Sequence, residues 1–351
     1  MAIYYINFDA THNGDGTAGT DAAGAGQTGA YNALPTIASG NEYYIKRGNQ
    51  YNPGAKLSLD GLSNITIGSY YLDGSTEKLG GNTTLPMPTW SCYYTSTSTG
   101  DWADQTGNVW LFDAGTGYWN PHELLGLGTL DNTWTHQQNY LNNASGVGGT
   151  LDTDGEWDLY DGDGTTSSRM VIYSSSGNPV TAWTTVYYGK QQAPNIHILN
   201  ACSNITIENI EFVHGSIGVK IAPNATNTID NVLIHNCKFR HCFKGVAYYG
   251  VNGLLTNISV VNNIFEDIGN VPIDMGTDWG EGLYISHNRI VRCGGATSIG
   301  AIYGASFPHS SYPNARLYIE DNYVDTVYRN TYWNESFGYY LESRSINTTV
   351  R

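Results

Sequence analysis

The stretch FEDIGNVPIDMGTDWGEG, residues 265–282, gathers Glu266, Asp267, Asp274, Asp278 and Glu281 beside Trp279. Two carboxyl groups roughly 5 to 9.5 Å apart can split a glycosidic bond, one as acid and the other as base or nucleophile. An indole next to them offers a flat apolar face to a sugar ring. The competing readings of the same residues are a solvated acidic loop and a cation site. A second set, Arg240, His241 and Lys244, places three basic groups within one turn of chain. A base beside a cation that holds a uronate carboxylate suits proton abstraction and elimination. An ordinary polar turn is the alternative there.

Other chemistries find less support. DTDGEWDLYDGDG, residues 152–164, invites a calcium reading. It lacks the Glu that an EF-hand loop needs at its twelfth position, and its Asp-Gly pairs also suit hairpin turns. The histidines show no pattern for zinc, so neither a metal nor an organic cofactor is expected. No glycine-rich phosphate loop and no nucleophile elbow occurs. The five cysteines include no Cys-x-x-Cys and read as buried free thiols.

A repeat must position these groups. From Asn204, Ile207 follows at three, Asn209 at five and Phe212 at eight. The template returns at Asn231, Ile234, Asn236, Phe239 and at Asn257, Val260, Asn262, Phe265. Weaker copies are Gly282, Ile285, His287, Ile290 and Arg316, Ile319, Asp321, Val324, with an early fragment at Asn64. The copies start 27, 26, 25 and 34 residues apart. Each alternates like a strand, and a second short run follows: IGVKI, GVAYY, VPIDM, GAIYG, FGYYL. Stacked coils of short strands with no helical segment predict an all-β, single-stranded parallel β-helix. The Asn at position five then falls at a bend, stacked on its equivalents, because Asn tolerates left-handed geometry.

That register aligns His214, His241, Asp267 and Arg292 in one column. It also aligns Asp274 with Lys220 and Ala247 of the two preceding coils, an outward-facing column. Coils about 4.8 Å apart bring such carboxylates within catalytic range. Asp274, Asp278, Glu281 and Asp267 are therefore the candidate catalytic residues. Trp279, Tyr248, Tyr303, His241 and Arg240 are the candidate substrate contacts.

The expected organisation is an N-terminal cap over residues 1–60, first coils over 61–84, an excursion of short antiparallel strands over 85–190, and coils from 191 to 351. The chain stops where another coil should begin, which suggests a truncated end or one capped by partner chains. Only 13% of residues are charged, while Gly, Tyr and Trp number 42, 27 and 9, a mix that favours strands and turns over helices. The net charge of −15 argues against nucleic acid and anionic membrane surfaces as partners. MAIYYINFDA is not a signal peptide, and no run is long and apolar enough to insert in a membrane.

The order YYINFDATHNGDGT, EYYIKRG, then DGEWDLYD and MVIYSSSGNP, then Asn-Ile-x-Ile coils, resembles right-handed parallel β-helix proteins of the pectate-lyase-like superfamily. It is most similar in style to phage tailspike polysaccharide depolymerases. The resemblance implies a glycoside hydrolase or lyase acting on a bacterial capsule, lipopolysaccharide or exopolysaccharide, as a homotrimer in an extracellular virion tail. A non-catalytic glycan-binding adhesin or structural tail fibre is the alternative. No segment matches a catalytic signature, so the resemblance assigns no residue a role.

Overall fold

The computed structural model describes residues 1–81, 84–105, 107–112, 121–127, 151, 154–155, 157–160, 169–190, 194–224, 226–248, 253–275, 282–294, 300–304, 316–328, 337–341 and 348–350. Each repeat gives one strand to each of three parallel sheets. The first sheet stacks Ile3–Ile6, Glu42–Lys46, Ser63–Asp73, Ser203–Glu208, Thr228–His235, Leu254–Val261, Leu283–Ser286, Leu317–Glu320 and Thr348–Val350. The second stacks Gln50–Tyr51, Thr89–Ser91, Glu211–Val213, Lys238–Arg240, Ile264–Glu266, Arg289–Gly294 and Tyr323–Tyr328. The third stacks Leu57–Asp60, Pro194–Leu199, Ile217–Ala222, Lys244–Tyr248, Ile273–Met275, Gly300–Gly304 and Phe337–Leu341. The chain winds as a right-handed parallel β-helix, the hand that parallel crossovers take.

Alternation builds the core. Ile205, Val232, Ile258, Leu283 and Leu317 stack inward in one register. Phe212, Phe239 and Phe265 form an inner ladder with ring centroids 5.1 and 4.8 Å apart. Gly218 and Gly245 are required beside it, since a Cβ at either would lie 2.4 or 2.5 Å from the ring of Phe239 or Phe265. Burying side chains of this size contributes about 1.5–3 kcal/mol each.

The bends are left-handed. Asn209, Asn236, Asn262, His287 and Asp321 turn the chain from the first sheet to the second with φ of 52–57°. His214, His241, Asp267 and Arg292 turn it from the second to the third with φ of 52–58°. Asn64, Asn204, Asn231 and Asn257, at position zero, are left-handed as well. The described ladder at the position-five corner is built one residue later, from Asn263, Asn288 and Asn322 pointing inward. Position zero carries the other amide ladder, with Asn231 Nδ2 donating to Asn204 Oδ1 and Asn204 Nδ2 to Asn64 Oδ1.

The chain leaves the second sheet after Thr89–Ser91 and rejoins the third at Pro194–Leu199. In between it forms two antiparallel sheets. One holds Trp102–Asp104, Val109–Phe112, Arg169–Tyr173 and Trp157–Tyr160; the other holds Tyr94–Ser96, Val186–Lys190 and Pro121–Leu127. They share a separate core of Trp102, Phe112, Met170, Ile172, Val186 and Tyr188. Among the described residues no helix is long and apolar enough to cross a membrane.

Candidate functional site

Two adjoining regions carry the sequence candidates: the corner from second to third sheet, and the outer face of the third sheet. Ile273 and Met275 point into the core, so Asp274 between them points outward. Its Cα neighbours are Ala247 one coil back and Tyr303 one coil on, and Ala247 follows Lys220 and His197. An outward side chain on a β-helix is ordinarily wet, yet Asp274 is only 4% exposed. It therefore lies in a recess. Lys244 Nζ pairs with Asp274 Oδ2 at 2.5 Å across the coil step. Tyr303 is half-buried beside it.

The same face is cationic further back. Burial, followed by the charges of Lys220 and Lys56, pushes His197 down to about 4. Both of its ring nitrogens are buried without a hydrogen-bond partner. Burial also lowers Lys220, aided by Lys56 and Lys244. Asp60 is the acidic group opposing these cations at His197. Cations concentrated in a low-dielectric recess attract anionic groups more strongly than they would in water.

At the corner, Arg292 donates through Nε to Asp267 Oδ1 at 2.7 Å and through one terminal nitrogen to Asp267 Oδ2 at 2.9 Å and Glu266 Oε1 at 2.5 Å. Lys238 lies 3.0 Å from Glu266 and 3.8 Å from Glu211, and Arg240 lies 3.1 Å from Glu211. Burial alone would raise Glu266, but Arg292 and Lys238 outweigh it and hold the carboxyl down at about 2. A carboxyl held so low is a poor general acid at neutral pH. His214 and His241 are buried and stack at 5.8 Å, with Tyr93 edge-on to His214.

The candidates thus divide. Asp274 and Tyr303 share the recess with Lys244. Asp267, Arg240 and His241 share the corner, where Asp267 is clamped by Arg292. Tyr248 is 1% exposed and packs inside the core, so its ring is not offered to a surface ligand. Asp278, Trp279 and Glu281 lie outside the described residues. Most of 152–164 does too, and Asp154 within it already accepts from the backbone and hydroxyl of Ser175. Among the described residues no three His, Cys, Asp or Glu side chains converge as metal ligands. His197 and Lys56 were missed from sequence. His197 and Lys220 occupy equivalent places in NIHIL and GVKIA, and that alignment was the available signal.

Three sheets, left-handed corners and one recessed outer face define the class, a parallel β-helix protein with an antiparallel insertion. Among solved structures the chain is similar to the native lacto-N-biosidase of glycoside hydrolase family 136 from Eubacterium ramulus. That match has 12% identity and a TM-score of 0.36, covering 83% of this chain and 45% of that one. The selenomethionine derivative of the same enzyme matches at 10% identity and TM-score 0.28, covering 100% of this chain and 67% of that one. XylC in complex with xylose matches at 10% identity and TM-score 0.28, covering 92% and 70%. The chain therefore spans less than half the length of the first of these structures. No protein-family model and no curated protein sequence matches it.

Proposed function

We propose that this protein degrades a polysaccharide, with the β-helix as a rigid platform and the third-sheet recess as the site of cleavage. The observation that carries the proposal is Asp274, an outward-facing carboxylate sunk in a recess and paired with Lys244. Rigid strands fix its position to a fraction of an ångström, as catalysis requires. Asp274 acts on the scissile linkage as base or nucleophile, Asp278 or Glu281 of the same acidic stretch is the candidate acid that protonates the leaving oxygen, and Tyr303 on the next coil positions the sugar. Lys244 orients the carboxylate. The finer reading is a depolymerase of a bacterial surface glycan, a homotrimer working outside the cell in a phage tail. It draws its support from the sequence resemblance.

The test is product release from capsular, lipopolysaccharide and exopolysaccharide panels, followed as reducing ends and as absorbance of unsaturated ends. Asp274→Asn should lower the rate by about 100-fold or more while polymer binding persists. Unchanged turnover in that variant would remove Asp274 from the chemistry. A glycan-binding adhesin that cuts nothing is the second reading. The arginine-clamped Asp267 favours it, and polymer binding with no product from any panel member would establish it.

A further inference from the structure

The outer face of the first sheet has a different chemistry from that recess. Its strands Ser203–Glu208, Thr228–His235, Leu254–Val261, Leu283–Ser286 and Leu317–Glu320 contain no Lys or Arg, and the cations beside them are Arg316, just before the last strand, and Lys46, at the end of Glu42–Lys46. Tyr284 and Tyr318 stand outward on successive coils with rings stacked at 4.8 Å and 2° between planes. Tyr284 is 42% exposed, an unusual place to hold an ordered aromatic pair. The next residue in its column is Ser259, whose side chain is too short to cover the ring face. Leu233 and Thr206 continue the column.

Beside them runs a second outward column of Ser286, Val261, His235 and Glu208. His235 Nε2 lies 3.0 Å from Glu208 Oε2, and its Nδ1 lies 2.9 Å from Asn236 Nδ2. An amide donating to Nδ1 puts the imidazole proton on Nε2, facing the carboxylate. Gly68 lets Glu208 and Tyr44 pack closely over the backbone next to this pair. A Cβ there would meet Glu208 Cγ and Tyr44 Cε1, each at 3.0 Å. The Tyr44 hydroxyl donates to Glu42 Oε2 at 2.8 Å. Glu208 lies three coil steps from Tyr284, roughly 14 Å, and Glu42 five, roughly 24 Å.

We propose that this face is a holding track for a neutral glycan lying along the helix axis, separate from the recess that cleaves. The C–H face of a pyranose stacks on Tyr284 over Ser259, where the negative π face meets polarised C–H groups. Glu208, oriented by His235, and Glu42 accept hydroxyl hydrogen bonds further along. The outward carboxylates Glu42, Glu208 and Glu320 outnumber Lys46 and Arg316 on this face and disfavour a uronate or sulfate, which is what makes the ligand neutral. The proposal rests on the reading of this chain as glycan-acting, but its test reads binding and not turnover.

The full chain would be titrated with neutral tetrasaccharides of xylose, glucose and N-acetylglucosamine, and with a galacturonate tetrasaccharide, by calorimetry. At least one neutral probe should bind, and Tyr284→Ala/Tyr318→Ala should weaken it about tenfold or more. Tyr284→Phe keeps the ring and should hold affinity within about twofold. The tyrosines lie outside the recess, so affinity lost in the double variant with product release retained tells the track from the cleavage site. Thermal melts of each variant guard against misfolding. The proposal is overturned by no binding of any neutral probe, by preference for galacturonate, or by affinity indifferent to the double variant. It is also overturned if the parent self-associates and Tyr284→Ala abolishes it, since a second copy then covers the face.

Discussion

Two corners of the coil share one backbone conformation and differ in what fills it. The corner from first to second sheet is turned by Asn209, Asn236 and Asn262, residues at home in left-handed geometry, and on the later coils by His287 and Asp321. Behind it the amides of Asn263, Asn288 and Asn322 lock successive coils together. The corner from second to third sheet is turned at the same φ by His214, His241, Asp267 and Arg292. A histidine or arginine there costs about 1 kcal/mol or more, and persists only where surrounding contacts enforce it. On the coils of Asn209, Asn236 and Asn262 the first corner is thus made by backbone preference, the other corner mostly by side-chain chemistry, and the second adjoins the recess holding Asp274. Strain next to a recessed carboxylate is where function is to be sought.

The largest effect should come from the amide corner. Asn288 Oδ1 accepts from the backbone and side chain of Asn263, and Nδ2 donates to Val260 O. Asn288→Ala leaves buried backbone groups unpaired, at about 1–3 kcal/mol each. A total loss of about 3 kcal/mol in urea unfolding is expected, with activity per folded molecule unchanged. A loss under about 1 kcal/mol would mean that the two corners are held by the same means.

The titratable corner should respond less in stability and more in function. Arg292→Asn keeps a residue suited to the left-handed bend but removes the pairs to Asp267 and Glu266. Arg292 is 40% exposed in its side chain, so screening limits the loss to about 1 kcal/mol. Relief of backbone strain offsets part of that. If the corner is only scaffold, product release stays as in the parent. A fall in turnover with a small stability change would tie the corner to the recess.

The period and the corner columns were readable from sequence because Asn at a fixed offset is a backbone signal. It fades in the last copies, where Gly282, His287, Arg316 and Asp321 take the Asn positions, and there the apolar spacing alone carries the register. The inward ladder was not readable. Asn263, Asn288 and Asn322 sit at core positions, and polar–apolar alternation places an amide there outside. Only the coil-to-coil bonds make it tolerable inside. Tyr248 failed for a related reason. GVAYY holds two tyrosines of opposite parity, and parity after a left-handed corner is fixed by packing rather than by the pattern. Asp274 was placed correctly outward, but its burial depends on what surrounds the strand. The strand IDM carries no trace of that. The Tyr284–Tyr318 pair recurs as LYIS and LYIE, visible in hindsight, but nothing in the spacing says that its rings are left uncovered.

The smallest expected effects are in pH dependence, and they separate the corner from the recess. Glu266 titrates near 2 in the folded chain against an ordinary value near 4.5. A depressed carboxyl contributes stability fully present above the ordinary value, and lost as pH falls from about 4.5 toward 2. His197 is held near 4 against an ordinary 6.5. The unfolded chain therefore takes up this proton first, and stability falls as pH drops from about 6.5 toward 4. Above about 6.5 His197 is neutral in both states and contributes no slope. His197→Gln should flatten the melting temperature between pH 6.5 and 4 and leave the lower window alone. Arg292→Asn should do the reverse, because Glu266 then titrates closer to its ordinary value. If His197→Gln left the upper window as steep as in the parent, the neutral imidazole beside Lys220 and Lys56 would not be the group that senses acid. The recess would then be less cationic around it than the third-sheet geometry requires.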